Sequence, residues 1–191
     1  MARIRLLSNE EAPAESRELF EKIEGRGARV LNLYRAVGHS PSAAGAFIRL
    51  GNALLNRSEL SPRLRELAIL RVATLTESAY EWTQHVPIAI EVGLSEEQMK
   101  EIRHWQSSPR FDALERAVLR YTDEVAREVR VSDETFAALR RHLSERSVVE
   151  LTLSIGYWGM VARMLVPLEI EIEDRSVGSS GDLLGKRKGG E

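Results

Sequence analysis

Apolar residues recur along this chain at intervals of three and four, and no stretch shows the strict alternation of a half-buried strand. Over residues 30–37 the apolar positions are Val30, Leu33, Tyr34 and Val37. Over 111–128 they are Leu114, Ala117, Val118, Tyr121 and Val125. Each set falls on one face of a helix. Capping signals divide the rest. Residues 14–23 open acidic and stop at Gly25-Arg26-Gly27. Ser40-Pro41 and Ser61-Pro62 each put a capping hydroxyl before a proline at the first helical position, opening helices over 41–56 and 63–75. Ser78 starts a helix that ends at Gly93, and Ser95 with Gln98 forms a capping box for a short helix to about residue 105. Ser132 begins a helix to about 142. Ser144 begins the last, apolar on most faces, to about 167. The pattern predicts an all-α protein with one domain over 1–168, its core in 41–168, and a mobile tail over 169–191. Leu60-Ser61-x-Arg63 is echoed by Leu143-Ser144-x-Arg146, which fits two similar helical lobes and equally fits two ordinary helix starts.

Composition narrows the function classes. A net charge of −2, with Lys and Arg spread along all 191 residues, lacks the basic stripe of a nucleic-acid or anionic-membrane binder. There is no cysteine, which removes disulfides, zinc-thiolate sites and any thiol relay carried by this chain. Residues 151–170 are apolar enough to raise a membrane span. They contain Arg163 and Glu169, so a buried core helix is the better reading. The opening Met1-Ala-Arg-Ile-Arg leads into polar residues, not the apolar run of a signal peptide, and a cytoplasmic location is expected.

Candidate chemistry gathers in residues 60–94. Glu66 lies within Leu64-Arg65-Glu66-Leu67-Ala68-Ile69-Leu70, where an ionised carboxylate is costly unless paired; Arg63, Arg146 and Arg163 are the candidate partners. Glu81 and His85 are four apart, so one helix face carries both, and a carboxylate there can hold an imidazole poised for proton transfer. Two plainer readings compete: Ser78-x-x-Glu81 is itself a capping box, and His85 is a satisfied core histidine. Pro87 interrupts the hydrogen bonding of the same helix and bends it. Glu66, Glu81 and His85 do not match the Glu-x-x-His spacing of di-metal bundles, and no metal is expected. Tyr80 and Trp82, with Tyr157 and Trp158, line a pocket or fill the core. Arg163 either pairs with a buried carboxylate or clamps an anionic substrate.

Read together, Arg65-Glu66-Leu67-Ala68-Ile69-Leu70-Arg71-Val72-Ala73, Tyr80-Glu81-Trp82-x-x-His85, Gly93-Leu94-Ser95 and Gly156-Tyr157-Trp158-x-Met160-Val161-Ala162-Arg163 resemble the carboxymuconolactone decarboxylase family of the alkylhydroperoxidase D-like superfamily. The resemblance implies an alkylhydroperoxidase D-like helical bundle assembled as a dimer, trimer or hexamer. The redox branch of that superfamily carries Cys-x-x-Cys, a histidine four residues later and a glutamate in the preceding helix. Aligned on His85, the cysteine positions fall on Ser78 and Glu81 and the glutamate on Glu66, so the thiol chemistry is missing while the proton-handling pair is kept. The decarboxylase branch needs neither cysteine nor cofactor. The expectation is therefore a cofactor-independent lyase acting on a small carboxylated lactone or keto acid. His85, Glu66 and Glu81 would be catalytic, and Arg163, Tyr80 and Trp82 would bind substrate. The alternative is a non-catalytic oligomeric or ligand-binding member that has lost thiol redox activity.

Overall fold

The computed structural model describes residues 1–173, and among these it contains nine α-helices and no strand. They are α1 (Ala14–Glu24), α2 (Asn32–Val37), α3 (Pro41–Asn56), α4 (Pro62–Leu75), α5 (Ala79–Glu91), α6 (Glu96–Glu101), α7 (Ala113–Glu128), α8 (Asp133–Arg140) and α9 (Glu145–Leu165). A 3₁₀ turn, Ile102–His104, follows α6. Every helix expected from the periodicity is present.

Two boundaries differ for identifiable reasons. Asp112 caps α7: its carboxylate accepts the Glu115 N–H at 2.8 Å, and the Glu115 carboxylate accepts the Asp112 N–H at 3.0 Å. This capping box was hidden because the apolar pattern already begins at Phe111. The helix expected over 95–105 tightens into the 3₁₀ turn because Arg71 reaches in and takes the carbonyls of Ile102 (3.0 Å) and Arg103 (3.3 Å).

The chain forms two compact units. One comprises Met1–Asn56 and the residues from Pro167 onward, with a core of Leu7, Ala12, Phe20 and Val30. The start of the expected tail packs into it. Asn32 donates its N–H to Glu173 (2.5 Å) and its side-chain amide to the Glu171 carbonyl (3.0 Å), and Arg3 pairs with Glu169 at 2.7 Å. The remainder of that segment, 174–191, lies outside the described residues.

The second unit, Arg57–Val166, is organised around α4, which packs against α5, α7 and α9. Every residue from Leu64 to Ala73 is buried, as a helix surrounded by partners requires. That run includes Arg65, Glu66 and Arg71. The helices α4 and α9, whose starts echo one another in sequence, sit side by side in this unit and do not mark separate lobes. Among the described residues α9 alone is long and apolar enough to cross a membrane, and more than half of its apolar window is buried inside the protein.

A short turn sets the site. Ser78 N–H reaches back to the Ala73 carbonyl at 2.9 Å while Glu77 takes a left-handed conformation (φ 53°), closing α4 with a Schellman turn. The chain then enters α5 at once, antiparallel to α4. Gly93 (φ 92°) closes α5 in the same way, with Leu94 N–H on the Ala89 carbonyl.

Candidate active site

Three helices of the second unit converge on one imidazole. The Nδ1 of His85 on α5 lies 2.7 Å from Glu66 Oε2 on α4, and Trp158 Nε1 on α9 lies 2.8 Å from His85 Nε2. The His85 and Trp158 rings meet edge to face, 5.4 Å apart at 86°. Tyr157 in turn stands against Trp158, 5.0 Å away. Glu66 is fully buried, and its other oxygen accepts from Arg65 Nε at 3.3 Å. Both carboxylate oxygens are thus held by cationic or N–H donors, which is what an ionised group in this position requires.

The partner of Glu66 is a correction to the sequence reading. Arg63 is committed to Glu115, to Gln98 (3.0 Å) and to the Gly93 carbonyl. Arg146 pairs with Glu150 at 2.9 Å. Arg163 is exposed on α9 and folds back to donate to the Gly159 carbonyl at 2.7 Å, in space that a side chain at Gly159 would crowd. Arg65 was passed over because neighbouring helix positions ordinarily point about 100° apart. The long arginine side chain curls around and closes the gap.

Glu81 behaves differently from the reading that made it the holder of His85. It shares the buried face of α5 with His85, one turn earlier, and is itself 2% exposed. Neither of its carboxyl oxygens has a hydrogen-bond partner. The capping box is only half formed. Ser78 Oγ accepts the Glu81 N–H at 3.4 Å, but the Ser78 N–H is spent on Ala73, so nothing is left for the Glu81 carboxylate to cap. Burial pushes its acid strength down to a pKa of about 8, with the nearby Ser78 hydroxyl pulling weakly the other way. Burial thus favours the uncharged acid form of Glu81 at neutral pH.

The aromatic candidates separate as well. Trp82 packs with Val86 against the apolar cluster that includes Leu67, Leu70, Ala89 and Leu94. Tyr80 is buried. Among the described residues no group of three or more His, Asp or Glu side chains is arranged to hold a metal ion.

A second buried polar cluster, missed from sequence, lies farther along α4. Arg71 grips Asp123 of α7 with two bonds, Nε–Oδ1 at 2.5 Å and Nη2–Oδ2 at 2.8 Å. Trp105 Nε1 adds a third donor to Asp123 at 3.1 Å. The available signal was an arginine between Leu70 and Val72, in a run with no room for solvent.

The helical architecture, which joins a glutamate and a histidine across α4 and α5, is an alkylhydroperoxidase D-like fold. The model of the carboxymuconolactone decarboxylase family matches residues 41–124, a little under half of the chain, which contains no cysteine. Its fold is similar to the AhpD-type core of an uncharacterised peroxidase-related protein from Ralstonia eutropha (TM-score 0.78, 18% identity, 91% of this chain and 93% of that one). It is likewise similar to a cysteine-to-alanine variant of the debrominase Bmp8 bound to 2,3,4-tribromopyrrole (TM-score 0.73, 20% identity, 91% and 94%). A protein of unknown function from Agrobacterium tumefaciens, named for a role in antioxidant defence, shares 28% identity over 72% of this chain and 95% of its own (TM-score 0.67). No curated protein matches the chain.

Proposed function

We propose that this chain is a cofactor-independent lyase that decarboxylates a small, anionic lactone or keto acid by proton transfer, in the cytoplasm and as a homo-oligomer. One observation carries the reading: a buried, unpaired and uncharged carboxylic acid, Glu81, stands one turn from an imidazole already wired to a carboxylate. Decarboxylation leaves an electron pair on carbon, and a positioned acid beside it completes the reaction. Shielding from water keeps that acid protonated until a stronger base forms next to it. Tyr80 and Trp82 give α5 an apolar wall, and Arg163, exposed on α9, is the cation that first attracts an anionic substrate. The exposed apolar residues of α9 (Val149, Leu153 and Met160) recur on one face and suit contact with a second copy.

The absence of cysteine argues against the antioxidant role in the name of the Agrobacterium relative. The test is turnover of a γ-carboxymuconolactone-like compound by the wild type and by Glu66→Gln, His85→Ala and Glu81→Gln. Loss of turnover in all three, with the oligomer intact, is expected; unchanged rates would sink the reading. A second reading rests on how closed the cluster is: Glu66 and the Glu81 oxygens are sealed from solvent, as in a purely structural network. In that case the chain is a non-catalytic, oligomeric or ligand-binding member, and titration with such lactones yields neither turnover nor perturbation of His85.

A further inference from the structure

Tryptophan is a hydrogen-bond donor and nothing else. The indole Nε1–H of Trp158 points at His85 Nε2 across 2.8 Å, so that nitrogen must present a lone pair. The imidazole proton is then on Nδ1, where it is donated to Glu66 Oε2 at 2.7 Å. A doubly protonated ring would set two N–H groups head to head at the Trp158 contact. This tautomer is assigned from the bonding pattern, and it leaves His85 with no free lone pair and no free proton.

We infer that Trp158 is a positioning residue that locks His85 as the neutral Nδ1–H tautomer, and that Glu81, not His85, delivers the proton at this site. The second half rests on the lyase reading above; the first does not. The charges around the ring agree. From α4 it faces Glu66, already satisfied by Arg65; from its own helix, Glu81; from α9, Trp158. The charged residues of α9 are engaged elsewhere, Arg146 with Glu150, and Arg163 with the Gly159 carbonyl. In the proton-transfer step the substrate's C–C bond to its carboxylate breaks and CO₂ leaves. The electron pair stays on the α-carbon and takes the proton from the Glu81 carboxyl. The resulting Glu81 carboxylate recovers a proton from water after product leaves. An ion without a hydrogen-bond partner in a buried position is strongly driven to do so.

The full-length chain labelled with ¹⁵N-histidine tests the lock directly. Long-range ¹H–¹⁵N spectra are expected to show His85 protonated at Nδ1 and bare at Nε2. In Trp158→Phe the bare nitrogen loses its donor, and the Nε2–H form should appear. An Nε2–H tautomer in the wild type, or unchanged spectra in Trp158→Phe, overturns the lock. Infrared difference spectra should show a protonated carboxyl band at pH 7 that vanishes in Glu81→Gln; a band that persists removes Glu81 as the acid. For turnover, Glu81→Gln should lower kcat about 100-fold or more. Trp158→Phe should lower it less. If Glu81→Gln keeps more than half of wild-type kcat, the donor assignment fails. If the wild type turns over no lactone, the lyase reading fails, while the spectra still decide the lock.

Discussion

Two buried polar clusters hang from the same helix, and they are finished to different degrees. Around Arg71 every polar atom is answered. Asp123 accepts two bonds from the guanidinium and one each from Trp105 and Gln106, and the remaining guanidinium nitrogen donates to two backbone carbonyls. Around Glu66, five residues earlier on α4, the carboxylate and the imidazole are answered in the same way, but Glu81 beside them is not. A buried polar group without a partner costs about 1–3 kcal/mol. Under the proposed lyase reading that cost is tolerated because the same carboxyl supplies the proton. The Arg71 cluster is closed by its own partners, whereas the Glu81 carboxyl stays buried and unanswered.

Mutations at the two clusters should therefore move stability in opposite directions. The largest effect is expected from Asp123→Ala, which leaves the Arg71 guanidinium buried without its counter-ion and should cost about 3–5 kcal/mol in urea unfolding. A loss under 1 kcal/mol would show that water or rearrangement replaces the carboxylate, and the contrast would collapse. Next comes Glu81→Met, which exchanges the unanswered carboxyl for a thioether of similar reach. It should raise stability by about 1–3 kcal/mol at pH 7 while abolishing activity.

The same pair of proteins provides a pH test. The acid form of Glu81 persists to about pH 8 when folded, against 4.5 for the free side chain, so the folded state holds the proton more tightly. The Glu81 contribution is thus fully present below about pH 4.5 and is lost as pH rises toward 8. The slope can reach about 1.4 kcal/mol per pH unit. Glu81→Met should lack that slope, and parallel stability curves for the two proteins would contradict it. The smallest effect belongs to Ser78→Ala. Removing this cap should cost about 0.5–2 kcal/mol. Because the hydroxyl is the one group opposing the upward shift, Glu81 should titrate higher still.

The helices were legible because their punctuation is local. Ser78, Ser95, Ser132 and Ser144 each accept the N–H three residues on. A cap and a periodic face need no knowledge of the rest of the chain. The site was legible only in part. Glu66, Glu81 and His85 could be singled out by their surroundings in sequence and by the resemblance that ordered them. Which carboxylate holds the imidazole could not, since that depends on the closing turn at Glu77 and Ser78 and on which N–H groups it consumes. The spacing of Glu81 and His85 satisfied a one-helix rule, whereas the bond that forms crosses from α4 to α5. Arg71 and Asp123 are 52 positions apart, and no local signal joins them.

The lock on His85 also has an order of assembly built into it. Glu66 and His85 are separated by 19 positions, within one helical hairpin, whereas Trp158 is 73 positions from His85. Closing the longer loop costs about 1.2 kcal/mol more in chain entropy, and the ribosome delivers its far end last. The glutamate and histidine can therefore meet while the C-terminal helix is still being synthesised. A nascent chain ending at residue 150 would already hold the pair, yet lack the residue that decides where the imidazole proton sits.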